Sequence, residues 1–186
     1  MSFSRPLKAL VLDRDGTLIT HVPYLQDPAQ VVVLPGVREG LRQALAAGLK
    51  LFLHSNQSGV GRGYFTVEAV DICNRRMIEL LDLGPTPFER ICIAPEHPDQ
   101  PSKYRKPSPA FALEIIADFK LNPDELCYIG DRGSDIETAH AAGTRAAAVA
   151  TGLDDIAAEL AAAGLAGRYP IFDRFDTAIT HLLTSS

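Results

Sequence analysis

Apolar residues along this chain form short continuous runs, separated by stretches in which they recur at every third or fourth position. The continuous runs predict six strands, at 7–12, 49–54, 88–94, 126–129, 145–150 and 170–172. The periodic stretches predict six helices, at 35–47, 66–84, 109–120, 134–143, 154–163 and 176–183. Strands that are apolar throughout, rather than at alternate positions, are typical of a parallel sheet covered on both faces.

Local signals support these boundaries and suggest one fold class. Thr66 and Ser134 are suitable caps for the helices that follow them, and Gly48 and Gly143 follow the ends of two helices. Regular alternation of strands and helices predicts right-handed crossovers. We therefore expect an α/β protein, a doubly wound three-layer α/β/α arrangement around a parallel sheet, with positions 1–186 forming a single domain.

Composition narrows the possible partners. The chain has 186 residues, 46% of them hydrophobic, and a net charge of −5 without a basic block, which gives no indication of nucleic-acid binding. No apolar run approaches the roughly 20 residues of a membrane helix, and the N-terminal residues lack a signal-peptide pattern. Cys73, Cys92 and Cys127 lie in apolar surroundings without a CxxC pair, which predicts buried free thiols and a cytoplasmic protein. Nothing here indicates the oligomeric state.

Polar and charged residues follow four of the predicted strands. They are the segments Asp13 to Thr17, Ser55 to Gly59, Arg105 to Lys106, and Gly130 to Asp135. Each alone is more simply explained as a solvated turn or a helix cap. Together they are notable, because the carboxyl ends of parallel strands meet at one edge of the sheet, where ligands bind.

The acidic residues in these segments require a counter-charge. Two carboxylates about 4 Å apart repel each other by roughly 4 kcal/mol at an effective dielectric constant of 20. Asp13, Asp15, Asp131 and Asp135 would be crowded at the predicted edge, and one lysine does not offset several such pairs. Oxygen ligands without a His or Cys cluster favour Mg²⁺.

These motifs resemble those of the haloacid dehalogenase superfamily of phosphohydrolases. DRDGT, Ser55, Lys106 and GDRGSD match its four motifs, in order. The strings LDRDGTL, SNQSGVGRGYF and YRKPSP resemble the branch that contains heptose 1,7-bisphosphate 7-phosphatase and histidinol-phosphate phosphatase. The resemblance implies a Rossmann-like core, and the short spacing between the motifs leaves no room for a large cap domain.

The resemblance also implies roles for individual residues in the hydrolysis of a small phosphorylated metabolite. Asp13 would be the nucleophile and Asp15 the general acid and base, with Ser55 and Lys106 completing the catalytic set. Mg²⁺ would be held by Asp13, the backbone carbonyl of Asp15, and Asp131, with Asp135 supporting its waters or Lys106. Contacts to phosphate and substrate are expected from Ser55, Asn56, Gln57, Arg62, Arg105 and Lys106. We expect Arg14 to point away from its neighbours in a structural role, and His54 to pack beside the site.

The chain departs from many relatives in one loop. Where they carry a Cys-x-His pair and a Cys-x-Cys pair for a structural zinc, this sequence has Ala94, Glu96, Ser102 and Tyr104. No structural zinc is therefore expected. Prolines in this loop are expected to restrict it in place of the metal.

Three alternatives remain beside a heptose bisphosphate phosphatase. Within the enzyme class, the substrate would instead be histidinol phosphate. From another class, a receiver-type phosphoaspartate signalling module also uses acids, a hydroxyl and a lysine around Mg²⁺. Its acids are normally adjacent and its phosphorylated aspartate follows the third strand, whereas here the spacing is DxD and that strand ends in Ala94-Pro95. A non-catalytic binding relative is disfavoured because every motif residue is present.

Overall fold

A computed structural model describes residues 5–184 and contains one parallel sheet of six strands. The strands lie in the order β3-β2-β1-β4-β5-β6. Their bounds are Ala9–Leu12 (β1), Lys50–Asn56 (β2), Arg90–Ala94 (β3), Leu126–Gly130 (β4), Arg145–Val149 (β5) and Ile171–Phe172 (β6). All five neighbouring pairs are parallel, which confirms the predicted sheet.

Within residues 5–184, seven helices connect and cover these strands. They are Val37–Ala46 (α1), Ser58–Gly61 (α2), Val67–Leu81 (α3), Ala110–Asp118 (α4), Gly133–Ala142 (α5), Ile156–Ala162 (α6) and Phe175–Thr184 (α7). The single turn α2 and the 3₁₀ turns Pro28–Gln30 and Pro123–Glu125 were not predicted, because one turn gives no hydrophobic period.

Side chains of β1 alternate between two cores, one on each face of the sheet. Leu10 and Leu12 belong to a core shared with α1, α3 and α7. Ala9 and Val11 belong to a second core shared with α4, α5 and α6. The central strands β1, β4 and β5 are buried throughout, as their continuous apolar pattern predicts, whereas the edge strands β3 and β6 keep exposed residues such as Ile91 and Ile171.

Of the two predicted helix N-caps, one is confirmed and one is wrong. Thr66 caps α3 as predicted, since its hydroxyl accepts a hydrogen bond from the Ala69 amide at 3.3 Å. The predicted Ser134 cap is wrong, because α5 begins after Arg132 and Ser134 lies inside its first turn. At this end the Asp135 carboxylate accepts a hydrogen bond from the Arg132 amide at 3.1 Å.

The sheet order changes direction at β1. From β1 the chain proceeds outward through β2 and β3, then returns to place β4 on the other side of β1. The register aligns Leu12 with Leu53 on one neighbour and with Ile129 on the other. The residues that follow these three strands therefore emerge at one level, at the switch point where such sheets open a crevice.

Candidate active site

Three buried carboxylates meet at the ends of β1 and β4. Asp13 follows β1, Asp131 follows β4, and Asp135 lies in the first turn of α5. One oxygen from each lies within 4.8 Å of the others, and their exposed fractions are 6%, 1% and 0%. We call these three residues the acid cluster.

Asp131 has one oxygen held and one without a hydrogen-bond partner. The Thr17 hydroxyl donates to Oδ1 at 2.9 Å, whereas Oδ2 is buried and has no partner. A Cβ atom at Gly16 or Gly152 would lie 2.3 Å or 2.0 Å from this Oδ2. Both positions therefore require glycine, which lets the backbone pack closely against Asp131.

Lys106 neutralises part of the cluster. Its Nζ contacts Asp13 Oδ1, and donates to Asp135 Oδ1 at 2.5 Å and to the His54 carbonyl at 3.1 Å. Burial acts to lower the pKa of Lys106, but Asp13 and Asp135 raise it above its ordinary value. This lysine thus remains charged, and its contact with Asp135 agrees with one of the two roles predicted for that residue.

The remaining charge in the cluster is unfavourable. Burial and, next, the Asp135 carboxylate raise the pKa of Asp131 to about 6, although the hydrogen bond from Thr17 and the charge of Lys106 act to lower it. Burial also raises the pKa of Asp13 well above its usual value, with further contributions from Asp135 and Asp131. A carboxylate oxygen without a partner, among crowded acids with oxygen ligands only, fits a hard divalent cation such as Mg²⁺.

Asp15 belongs to a separate hydrogen-bonded group at the edge of the cluster. Arg14 Nε donates to Asp15 Oδ2 at 3.0 Å and its terminal nitrogen donates to Oδ1 at 3.1 Å. Gln57 Nε2 donates to Asp15 Oδ2 and to Ser55 Oγ, both at 2.8 Å. The prediction that Arg14 points away from its neighbours is wrong, because its long side chain folds back onto the adjacent carboxylate.

The two basic residues of the third motif lie in a loop fastened to β2. Asn56 accepts a hydrogen bond from the Lys106 amide at 3.0 Å and donates to its carbonyl at 3.2 Å. These bonds occupy the Asn56 side chain in positioning Lys106. Arg105 is half-buried beside it, and one of its terminal nitrogens is buried without a hydrogen-bond partner.

A cavity of about 520 Å³ opens above these residues. Its polar lining includes Asp13, Asp15, the segment from Ser55 to Ser58, Arg105 and Lys106. Arg62, predicted to contact substrate, is exposed and does not line it. The other predicted site residues line the cavity, apart from Asp131, which is buried and meets Asp13 in the acid cluster.

Several cavity or support residues were not predicted. Val22, Tyr24 and Phe65 form an apolar side of the cavity, and the Tyr24 ring meets Tyr64 edge-on at 4.7 Å. Gly152 lies after β5, where Thr151 donates to the Gly16 carbonyl at 2.6 Å. Thr151 and Gly152 follow the end of β5 closely, so they carry the same sequence signal, a polar residue and a glycine after a strand, as the four motif segments. The apolar side chains carry no sequence signal that separates them from core residues.

His54 is packed beside the site, as predicted. It is fully buried, its Nε2 donates to the Tyr104 carbonyl at 2.7 Å, and its Nδ1 accepts from the Tyr128 hydroxyl at 2.8 Å. Burial, with the nearby Lys106 charge, lowers the pKa of His54 to about 3. The imidazole is therefore neutral and supports the loop that carries Lys106.

The positions used for zinc in many relatives form a hydrogen-bonded loop in this chain. Ser102 donates to Glu96 at 2.7 Å and accepts from the Arg105 amide at 3.1 Å. The Tyr104 hydroxyl donates to Glu114 on α4 at 3.1 Å. These contacts link the loop to the residue that precedes Lys106. The expected absence of structural zinc stays a prediction.

Comparisons with known proteins place this geometry in a family. The family model described as HAD-hydrolase-like matches residues 103–178. A D-glycero-D-manno-heptose-1,7-bisphosphate 7-phosphatase of Chlorobaculum tepidum is 32% identical over 78% of this chain and 79% of its own length. A D-glycero-beta-D-manno-heptose-1,7-bisphosphate 7-phosphatase of Rhodopseudomonas palustris is 31% identical over 77% of this chain and 84% of its own.

The solved structures agree with the sequence relatives. A D,D-heptose 1,7-bisphosphate phosphatase from B. bronchiseptica, crystallised with magnesium and phosphate, superposes with a TM-score of 0.86. It is 25% identical, and the match covers 97% of this chain and all of that one. Within residues 5–184, no helix is long and apolar enough to cross a membrane. The chain is a phosphatase that belongs to the haloacid dehalogenase superfamily, in the branch of the D-glycero-D-manno-heptose-1,7-bisphosphate 7-phosphatases.

Proposed function

We propose that this phosphatase is a Mg²⁺-dependent phosphomonoester hydrolase that forms an aspartyl phosphate on Asp13. The observation that carries the proposal is the contact of the Asp13 carboxylate with Lys106 at the base of a polar cavity. This contact holds the nucleophile in one orientation and offsets the charge of an arriving phosphate.

Two displacements would complete the reaction. In the first, a carboxylate oxygen of Asp13 attacks phosphorus and the bond to the ester oxygen breaks. The electron pair leaves on that oxygen, which takes a proton from Asp15. In the second, Asp15 takes a proton from water as the water oxygen attacks phosphorus. The bond to Asp13 then breaks, which regenerates the carboxylate and releases inorganic phosphate.

Asp13, the backbone carbonyl of Asp15, and Asp131 would hold the Mg²⁺ ion. When bound, the ion supplies positive charge that stabilises the phosphoryl oxygens during transfer. The chain's own residues do the rest. Ser55 and the amides near Asn56 bind phosphoryl oxygens, and Lys106 holds its charge between Asp13 and the phosphate.

We infer heptose 1,7-bisphosphate as the substrate, with histidinol phosphate as the alternative. The names of the relatives support the heptose. The unpartnered nitrogen of Arg105 also supports it, because a buried donor at the cavity wall suits a second phosphate or a sugar hydroxyl. A bisphosphate would gain from Arg105, whereas histidinol phosphate brings a cationic amine that gains nothing there. The arginine therefore favours the bisphosphate.

Release of inorganic phosphate with Mg²⁺ and with EDTA tests the proposal. The substrates are heptose 1,7-bisphosphate, histidinol phosphate, and a set of sugar and nucleotide monophosphates. Asp13→Asn should abolish release, whereas Asp71→Asn, an exposed change on α3, should leave it unaltered. Rapid quenching with peptide mass spectrometry should find a phosphate on the peptide that contains Asp13. Release from the heptose that survives in Asp13→Asn, or that is unaffected by EDTA, would refute the mechanism.

The same assay separates the substrates and the competing classes. Strongest release from histidinol phosphate would keep the chemistry and overturn the heptose assignment. A protein that keeps a phosphate on Asp13 and releases no inorganic phosphate from any substrate would instead support the receiver-type module.

A further inference from the structure

Arg14 is a buried cation with an unusual set of partners. It is 1% exposed, and it is the largest side chain in the chain's described part that is fully buried. Its terminal nitrogen NH1 donates to Asn74 Oδ1 on α3 at 2.9 Å. Its other two nitrogens donate to the two carboxylate oxygens of Asp15. A buried guanidinium is costly unless its donors are satisfied, so this arrangement needs a reason.

We propose that Arg14 is a positioning residue that fixes the Asp15 carboxylate in the orientation for proton transfer, with Asn74 fixing Arg14 in turn. The proposal rests on the proposed function, since it assumes that Asp15 is the general acid and base. Loss of Arg14 or Asn74 would leave the chemical steps the same. It would lower only the fraction of time in which the Asp15 carboxylate points at the ester oxygen.

The hydrogen bonds show which oxygen would carry the proton. A carboxylate oxygen accepts about two hydrogen bonds. Asp15 Oδ2 already accepts from Arg14 Nε and from Gln57, whereas Oδ1 accepts only from the Arg14 terminal nitrogen. One lone pair of Oδ1 is therefore left, and the geometry assigns the transferred proton to it.

The planar fork of arginine is essential to this arrangement. Two neighbouring nitrogens of Arg14 hold the Asp15 carboxylate, the terminal one lying 2.9 Å from Oδ2 and 3.1 Å from Oδ1, and a third donor on the far side fixes the guanidinium to α3. A lysine offers the same charge at a single point, so it would leave the carboxylate free to rotate. Arg14→Lys therefore keeps the charge and removes the orientation.

Dependence on the leaving group distinguishes positioning from a structural role. An alkyl ester oxygen needs a proton to leave, whereas p-nitrophenolate leaves without one. Proton donation to the leaving group belongs to the first displacement, whereas the second displacement is the same for every substrate, so the comparison uses kcat/KM, which reports the steps up to release of the leaving group. For the sugar phosphate that the wild-type enzyme hydrolyses best, Arg14→Lys should lower kcat/KM by about tenfold or more, a part of the 10²–10⁴ that general acid catalysis contributes. For p-nitrophenyl phosphate, kcat/KM should stay within about threefold of the wild-type value.

Three further variants make the test decisive. Asp15→Asn should show the same dependence on the leaving group, with a larger loss. Asn74→Ala leaves Arg14 in place, removes only its anchor, and should show the dependence in weaker form. Met77→Ala, a core change further along α3, should affect both substrates equally. Circular dichroism and thermal unfolding would establish that each variant is folded.

The outcomes separate this inference from the proposed function. If Asp15→Asn shows the dependence but both Arg14→Lys and Asn74→Ala lower kcat/KM equally for both substrates, the positioning role is overturned and the proposed chemistry stands. If Asp15→Asn has no effect on the sugar phosphate, the proposed proton transfer fails and the inference fails with it. If Arg14→Lys does not fold, the Asn74→Ala result decides.

Discussion

Replacing Asp131 with asparagine should stabilise the metal-free protein while removing its response to Mg²⁺. The substitution keeps an oxygen that can accept the Thr17 hydrogen bond and removes one negative charge from the acid cluster. In the metal-free state that charge is a liability, because burial and Asp135 raise the pKa of Asp131 to about 6, compared with 3.8 for an unperturbed aspartate.

The size of the effect follows from this pKa difference. A carboxyl whose pKa is raised by folding costs nothing below the unfolded value, and its cost grows with pH until the folded value is passed. A rise of about two units, at about 1.4 kcal/mol each, gives roughly 3 kcal/mol above pH 6. Part of this stabilisation is lost because the new amide nitrogen of the asparagine also needs a hydrogen-bond partner. We therefore expect the free energy of unfolding to rise by about 2 kcal/mol.

Urea unfolding in EDTA at pH 8 and at pH 4 measures this gain. The variant should be more stable at pH 8, and the difference should shrink at pH 4, where Asp131 is protonated in the folded state and about half protonated in the unfolded state. Mg²⁺ at a hundred times its dissociation constant should then stabilise the wild-type protein by about 2.7 kcal/mol and the variant far less. Phosphatase activity should be lost in the variant. Asp71→Asn is the matched control, with an expected change within about 0.5 kcal/mol.

Two results would refute this reasoning. Lower stability of the variant at pH 8 in EDTA would show that Asp131 is not under electrostatic strain in the metal-free protein. Equal stabilisation of both proteins by Mg²⁺ would place the metal elsewhere, away from the unpartnered Oδ2.

Three further predictions concern residues around the site. Because burial lowers the pKa of His54 to about 3 from 6.5, the unfolded state binds the proton between these values, so stability should fall as the pH falls. From pH 7 to pH 5 this amounts to about 2 kcal/mol; His54→Gln should remove that part of the pH dependence in urea unfolding, and an unchanged slope would contradict the assignment. Gly152→Ala should lower kcat by about tenfold or more, because its Cβ would lie 2.0 Å from Asp131 Oδ2 and misplacements of about 1 Å can cost 10²-fold. Wild-type kinetics in this variant would mean that the loop moves aside freely. Purified protein should contain no stoichiometric zinc by elemental analysis, since the loop positions hold Glu96, Ser102 and Tyr104; one tightly bound zinc would disprove this.

Most of the fold could be derived from local patterns in this chain. All six strands and the six longer helices lie where apolar runs and helical periods place them. Their ends differ by a few residues, as at β1, which begins at Ala9 rather than at Leu7. The error at Ser134 has a physical cause: the cap of α5 was decided by the Asp135 carboxylate, and a serine within the first turn looks the same in sequence.

The residue types of the candidate site could also be predicted from the sequence, because each motif follows a strand and parallel strands share one carboxyl edge. Their partners could not. Arg14 lies one residue from Asp13 and one from Asp15, and only the packing of α3 against the end of β1 decided that it would be held between Asn74 and Asp15. Arg62 looks like an equally good substrate ligand in sequence, yet its loop leaves it in solvent.

The sequence by itself determined the periodicities, the order of strands and helices, and the chemical groups at each strand end, since these depend on residues that are close along the chain. Tertiary structure decided which groups face one another, because contacts between β1, β4 and α3 join residues dozens of positions apart. Local patterns do not encode such distances. The unpartnered oxygen of Asp131, the free nitrogen of Arg105 and the buried fork of Arg14 are therefore properties of the folded chain alone.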